Sequence, residues 1–228
     1  MDAKRKILIC GAGIAGPALG FWLDRYGYSV VVAEKAASIR DGGQNVDIKG
    51  LGQEVIRRMS IVEKILEKNT LEQGQKYFDA KGRAIAVFPK GALSGLTSDF
   101  EILRGDFANI LYEETRSNCN YRFSTFVTAL KQSGDHVEVI FNDGNVELFE
   151  LVICADGVSS PTRQLVLSAE TQFRDFGAYM AFFKIPREPQ DDNWACSVNG
   201  IGGTMLTLPR TALARACGAR RRSFGTGA

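Results

Sequence analysis

The 228-residue chain has one histidine and five cysteines, and each scarcity removes a class of chemistry. His136 alone cannot build an imidazole metal cluster, and any Ser-His-Asp arrangement would have to use it. It sits in the alternating run His136-Val-Glu-Val-Ile-Phe141, where a solvated outward position is expected. Cys10, Cys119, Cys154, Cys196 and Cys217 are odd in number and lack CxxC spacing, which argues against a disulfide framework or a zinc site. Cys10 and Cys154 lie in apolar strand-like runs and are expected as packed core thiols. Long uninterrupted apolar runs are also missing. The stretch Ile7 to Leu23 follows Lys4-Arg5-Lys6 but is broken by glycines and a proline, and no small-residue cleavage site follows it; it reads as neither leader nor membrane span. A soluble, cytoplasmic protein without a membrane partner is expected. Acids are absent after Pro209, where five arginines occur, so the formal charge of +2 conceals a net acidic body. That body offers no nucleic-acid surface.

What is present is a glycine run between an apolar strand and an apolar helix: Ile7-Leu-Ile-Cys10, Gly11-Ala12-Gly13-Ile14-Ala15-Gly16, then Pro17 to Tyr26. Gly11 permits a tight turn, Gly13 lets the main chain approach a pyrophosphate, and Gly16 lets the helix pack close to the strand. The helix start supplies unpaired N–H groups to an anion. A second apolar run, Ser29 to Ala33, ends at Glu34, the position of a carboxylate that accepts the ribose hydroxyls of an adenosine. A bare βαβ turn explains the glycines and leaves Glu34 unexplained.

The polar loop Ser38 to Gly43 leads to an extended segment, Gln44 to Ile48, and then two short amphipathic helices, Gly52 to Met59 and Ile61 to Lys68. Lys76 to Phe88 reads as a hairpin turning at Asp79-Ala-Lys-Gly82. A helix capped by Asp106 and running to Arg116 follows, with Arg104 just outside it. The segments 121–124, 128–131, 136–141 and 146–149 suggest an antiparallel meander. Leu151-Val-Ile-Cys154 is a continuous apolar run, expected of a parallel strand buried on both faces. The aromatic and β-branched runs of 171–209 read as a second sheet; Phe173, Phe176, Tyr179, Phe182 and Phe183 are expected in its core, or walling a substrate pocket. The Arg/Ala/Gly bias of 210–228 suggests a disordered tail or an out-of-frame end.

Two further segments narrow the family. Cys154-Ala-Asp156-Gly-Val-Ser-Ser-Pro-Thr-Arg163 resembles the DG motif of class A flavoprotein monooxygenases, the p-hydroxybenzoate hydroxylase family. Glu101-Ile-Leu-Arg104-Gly-Asp106 resembles that family's arginine before a helix, and Gly42 to Glu54 looks most like its tetracycline-inactivating and fungal branch. The resemblance implies an α/β architecture: a Rossmann-like, GR2-type FAD-binding domain over 1–75 and 100–168, with a parallel sheet and an antiparallel meander. A partial substrate-domain sheet would occupy 76–99 and 169–209. It implies FAD as cofactor and NADPH as co-substrate, with one oxygen atom of O2 passing to a small organic, aromatic, polyketide or terpenoid-like substrate. Cofactor contacts fall to the glycine turn, Glu34, Lys35, Arg40, Asp47, Arg104 and Asp156; Arg163 helps place FAD and NADPH. No protein nucleophile is implied.

The family's third fingerprint, a Gly-Asp followed by small residues, histidine and proline, is missing. Truncation near Pro209, weak FAD binding and slow turnover are therefore expected. The competing readings are a catalytically inactive nucleotide-binding fragment and an NAD-dependent dehydrogenase; the meander and the DG motif count against the second.

Overall fold

The computed structural model describes residues 5–91, 97–184, 192–200, 203–208 and 213–219. In chain order the elements are β1 (Lys6–Cys10), α1 (Ala15–Arg25), β2 (Ser29–Ala33), β3 (Asn45–Asp47), α2 (Leu51–Arg58), α3 (Val62–Glu67), β4 (Gly74–Phe78), β5 (Ala84–Pro89), β6 (Glu101–Leu103) and α4 (Arg104–Thr115). They continue with β7 (Asn120–Arg122), β8 (Val127–Ser133), β9 (His136–Phe141), β10 (Val146–Phe149), β11 (Leu151–Cys154), α5 (Pro161–Val166), β12 (Ala178–Lys184), β13 (Trp194–Gly200), β14 (Gly203–Leu208) and β15 (Leu213–Ala219). The chain divides into two compact units, Met1–Gly42 with Arg104–Phe173, and Gly43–Leu103 with Arg174–Ala228.

The first unit is built on a parallel sheet of order β11-β1-β2-β7. Side chains alternate across a strand, so the two faces of β1 and β2 are read separately. Leu8, Cys10, Val31 and Ala33 pack against Val127, Val139, Phe141 and Phe149 of the β10-β9-β8 meander. Ile9, Val30 and Val32 turn the other way, into a cluster with Ala108 of α4 and Cys119. Cover on both faces is why β1 and β2 read as unbroken apolar runs.

Two expectations fail here for one reason, strand position. Segment 121–124, expected in the meander, supplies β7, which pairs in parallel with β2. β11 does pair with β1 in parallel but closes the described sheet edge, so Leu151 is 49% exposed and Cys154 is exposed rather than packed in the core. Apolarity reports burial on average and does not distinguish an edge strand from a central one. The helix expected from Asp106 begins two residues earlier, which makes Arg104 its first residue.

The second unit contains the sheet β12-β15-β14-β13-β4-β5 and the antiparallel ribbon β3-β6. Segment 43–75, expected with the nucleotide-binding part, belongs to this unit because β3 pairs with β6 and β4 with β13. Its buried residues include Ile56 and Ile65 of the two short helices, together with Ile102 of β6. Residues 213–219, expected as disordered or out-of-frame tail, form β15 between β12 and β14. Ladder bonds are made by the backbone, which composition does not describe. Residues 210–212 and 220–228 lie outside the described residues. Phe173 and Phe176 are 66% and 83% exposed rather than core; the side chains of Tyr179, Phe182 and Phe183 lie outside the described ones.

Candidate functional site

The site forms where β1 ends. Gly11 holds φ +107° and donates its N–H to Ala33 O at 2.7 Å, pinning the turn to the end of β2. A Cβ on Gly11 would lie 2.6 Å from Ala155 O, and one on Gly16 would lie 2.0 Å from Gly11 O. No other residue fits either place without moving backbone. α1 starts at Ala15 after Ile14, and no side chain caps it, so its first N–H groups remain available to an anion.

Glu34, the residue after β2, is 9% exposed. Its Oε2 accepts from Ala12 N at 2.9 Å and its Oε1 from Ala36 N at 2.8 Å. Each oxygen keeps acceptor capacity, because a carboxylate oxygen has two lone pairs. Arg40 Nη2 stands 3.8 Å from Oε1. Across the turn, Arg104 Nη2 lies 3.5 Å from where a Cβ on Gly13 would be.

Asp156 follows β11. Its Oδ2 accepts from Thr162 N at 3.1 Å, while Oδ1 is buried with no hydrogen-bond partner. Pro161 opens α5 and Ser160 Oγ caps it by accepting from Arg163 N at 2.9 Å. Arg163 turns back on its own loop, donating to Gly157 O and Val158 O, and its Nε is buried without a partner.

A cavity of about 240 Å³ gathers Gly11, Ala12, Gly13, Ile14, Ala15, Glu34, Arg40, Arg104 and Asp156 within the first unit, together with Ala108, Ala155 and Gly157. Gly16, also expected at the cofactor, does not line this cavity; a Cβ there would meet Gly11 O and the Ile9 side chain. A smaller cavity of about 50 Å³ shares Gly11, Glu34, Arg40 and Asp156 and adds Lys35, Thr125, Phe126 and Val127. Sequence reasoning missed this last trio, which carries no motif; Thr125 N donates to Glu34 O at 3.0 Å. Asp47 belongs to the second unit, where it accepts from Ser98 N at 2.8 Å and pairs with Lys49 at 3.7 Å; it lines neither cavity.

The arrangement can hold an anion and a polyol, and it contains no activated nucleophile. Burial pushes the Cys10 thiol up to about 12, and burial likewise raises Cys154. No cluster of three or more His, Cys, Asp or Glu suited to a metal occurs among the described residues. No described helix is long and apolar enough to cross a membrane.

The model of the FAD binding domain family matches residues 4–195. An FAD-dependent monooxygenase, asL4, of Sarocladium schorii is 34% identical over 214 residues, 90% of this chain and 50% of its own length. A flavin-dependent monooxygenase of Legionella longbeachae is 39% identical over 189 residues, 82% of this chain and 48% of its own. The chain thus spans about half the length of these curated relatives. Among solved structures, tetracycline destructase Tet(51) superposes with a TM-score of 0.82 at 32% identity, covering 97% of this chain and 58% of that one. CtdE in complex with FAD and substrate 4 gives a TM-score of 0.78 at 21% identity over 96% of this chain and 58% of that one, a likeness of fold.

Proposed function

The chain belongs to the FAD binding domain family, and from that premise we propose that it serves a flavin-dependent monooxygenase reaction. FAD would be held at the Gly11–Gly16 turn, NADPH would supply the electrons, and the oxygen acceptor would be a small organic molecule. The observation that carries this reading is one cavity bringing together an uncapped helix start, two guanidinium groups and an unpartnered carboxylate oxygen.

Those groups match the demands of an adenosine diphosphate linked to a further polyol. N–H groups of Gly13 to Ala15 would face the pyrophosphate, the Ala12 N–H being held by Glu34, and Gly11, Gly13 and Gly16 allow the approach. Glu34 uses its remaining lone pairs for ribose hydroxyls, with Lys35 and Arg40 on the adenosine side. Arg104 supplies charge-assisted bonds to phosphate oxygens. The buried Oδ1 of Asp156 lacks a donor, which a polyol hydroxyl would provide; a buried acceptor left without one costs roughly 1–3 kcal/mol. When bound, FAD supplies the chemistry, taking electrons from NADPH and activating O2 for transfer of one oxygen atom. The chain's residues bind, orient and exclude water.

Aromatic, polyketide or terpenoid-like molecules are the proposed substrate class, supported by likeness to a protein named for tetracycline and to a fungal monooxygenase. The cytoplasm is the proposed setting. Calorimetric titration of the purified chain with FAD and with ADP tests the reading. The two ligands should compete, and Arg104→Ala should weaken both about tenfold or more. NADPH-dependent oxygen uptake should require added FAD. Tight NADH binding with no affinity for FAD would overturn the proposal in favour of a dehydrogenase.

A further inference from the structure

Residues 39–42 of the first unit carry Arg40 to the cavity, and three of the four are seated on α4. Ile39 is 7% exposed and shares a core cluster with Ala108. Asp41 Oδ1 accepts from Asn109 Nδ2 at 3.1 Å. Gly42, at φ +73°, lies so close to Gly105 that a Cβ on Gly105 would run into Gly42 N and stand 2.9 Å from Gly42 O and 3.0 Å from the carbonyl carbon of Asp41. Arg40 is therefore held by the residues on both sides of it.

α4 presents two neighbouring stripes to this arrangement. Arg104 and Ala108, four residues apart and so on one side of the helix, line the nucleotide cavity. Gly105 and Asn109, likewise four apart, receive the backbone of Gly42 and the side chain of Asp41. Glycine weakens a helix, and here its missing Cβ is what admits the loop. Arg40 needs that seat, because its Nη2 is 3.8 Å from Glu34 Oε1 and its side chain is 55% exposed. So long and solvated an ion pair does not fix an arginine by itself. A guanidinium ordered only when a ligand arrives lowers affinity by its own immobilisation, and a fixed backbone removes part of that cost.

We propose that Gly105 and Asn109 are positioning residues of the nucleotide site: they seat residues 39–42 on α4 and so set Arg40, beside the Glu34 carboxylate, in register with Arg104 for one nucleoside diphosphate. Neither residue lines the cavity, so both act through Arg40. This role rests on the cavity being a nucleotide site. A Cβ at position 105 makes helix and loop part by roughly 1 Å before ordinary contact is regained, and Arg40 moves with the loop.

Calorimetric titration with ADP of the intact chain, Gly105→Ala, Arg40→Ala and the double variant tests the role. Gly105→Ala should weaken ADP about tenfold when Arg40 is present and less than twofold once it is alanine, whereas a merely destabilised fold loses affinity equally in both backgrounds. Asn109→Asp sets two carboxylates against each other and should weaken ADP about fivefold. Adding Asp41→Asn exchanges donor and acceptor, restores the charge and should rescue binding; this pair decides the matter if Gly105→Ala does not fold. Without any nucleotide, 15N order parameters of 39–42 should fall from about 0.85 towards 0.6 in Asn109→Asp while those of β1 and β2 hold. Equal loss in both backgrounds, no rescue by the exchange, or order parameters for 39–42 that do not change would each overturn the role. If Arg104→Ala weakens ADP and Gly105→Ala does not, this role alone falls; a wild-type chain that binds no ADP overturns the nucleotide reading and this role with it.

Discussion

The Glu34 side chain reaches back along the end of β2 and accepts the N–H of Ala12 at 2.9 Å. The second strand thereby fixes the glycine turn that follows the first. One carboxylate shapes the loop and keeps lone pairs free for a ligand.

Glu34→Ala should therefore damage both roles. Two backbone donors, Ala12 N and Ala36 N, lose their acceptor, at a cost of about 1–3 kcal/mol. The midpoint of urea unfolding should drop accordingly, and affinity for ADP should fall at least tenfold. Glu34→Gln keeps an acceptor for one donor and should lie between the two. A stable Glu34→Ala chain with unchanged ADP affinity would refute the dual role.

Gly11→Ala tests the turn itself. The new Cβ meets the Ala155 carbonyl at 2.6 Å in a backbone of φ +107°, so strain and overlap act together. A loss of about 3 kcal/mol is expected, seen as a lowered thermal midpoint. Gly27→Ala, at φ +85° with nothing within 4 Å of its Cβ, carries conformational strain alone. It should cost about 1 kcal/mol, and the difference measures the overlap.

Glu147 of β10 ties the sheet of the first unit to its meander, pairing with Lys6 of β1 at 2.6 Å and with both Nη atoms of Arg122 of β7. These cations, with the hydrogen bonds from Arg122 foremost, hold its carboxyl down to about 2. The unfolded chain binds a proton as pH falls through about 4.5, whereas the folded chain resists until about 2, so this stabilisation is present above 4.5 and lost in that window. The side chain is a quarter exposed, and solvent screening reduces its worth to about 1–2 kcal/mol. Glu147→Gln should remove that much at pH 7 and flatten the acid limb of the stability profile, as followed by urea unfolding between pH 7 and pH 2.

Thiol labelling separates edge from core. Cys154 is exposed on β11, whereas Cys10 and Cys119 are 4% and 5% exposed with their thiols pushed up by burial to about 12 and about 11. Peptide mapping after brief treatment with iodoacetamide should find Cys154 modified before either. Simultaneous labelling of Cys10 and Cys154 would mean that β11 does not lie along β1 as described.

Residues 6 to 34 determined their own structure. Turn sterics at Gly11, close packing at Gly16 and two apolar runs covered on both faces are local demands, written within a few neighbours of each residue. Arg104 and Asp156 were recognisable as motif members, but their meeting at one cavity depends on α4 beginning at Arg104 and on β11 lying beside β1, a pairing between segments more than a hundred residues apart. The same dependence explains β7 entering the parallel sheet, Cys154 reaching solvent and β15 forming in an arginine-rich stretch. Side-chain period and backbone sterics act over a few residues, whereas strand order, edge position and the company a buried charge keeps are settled only when distant segments pair.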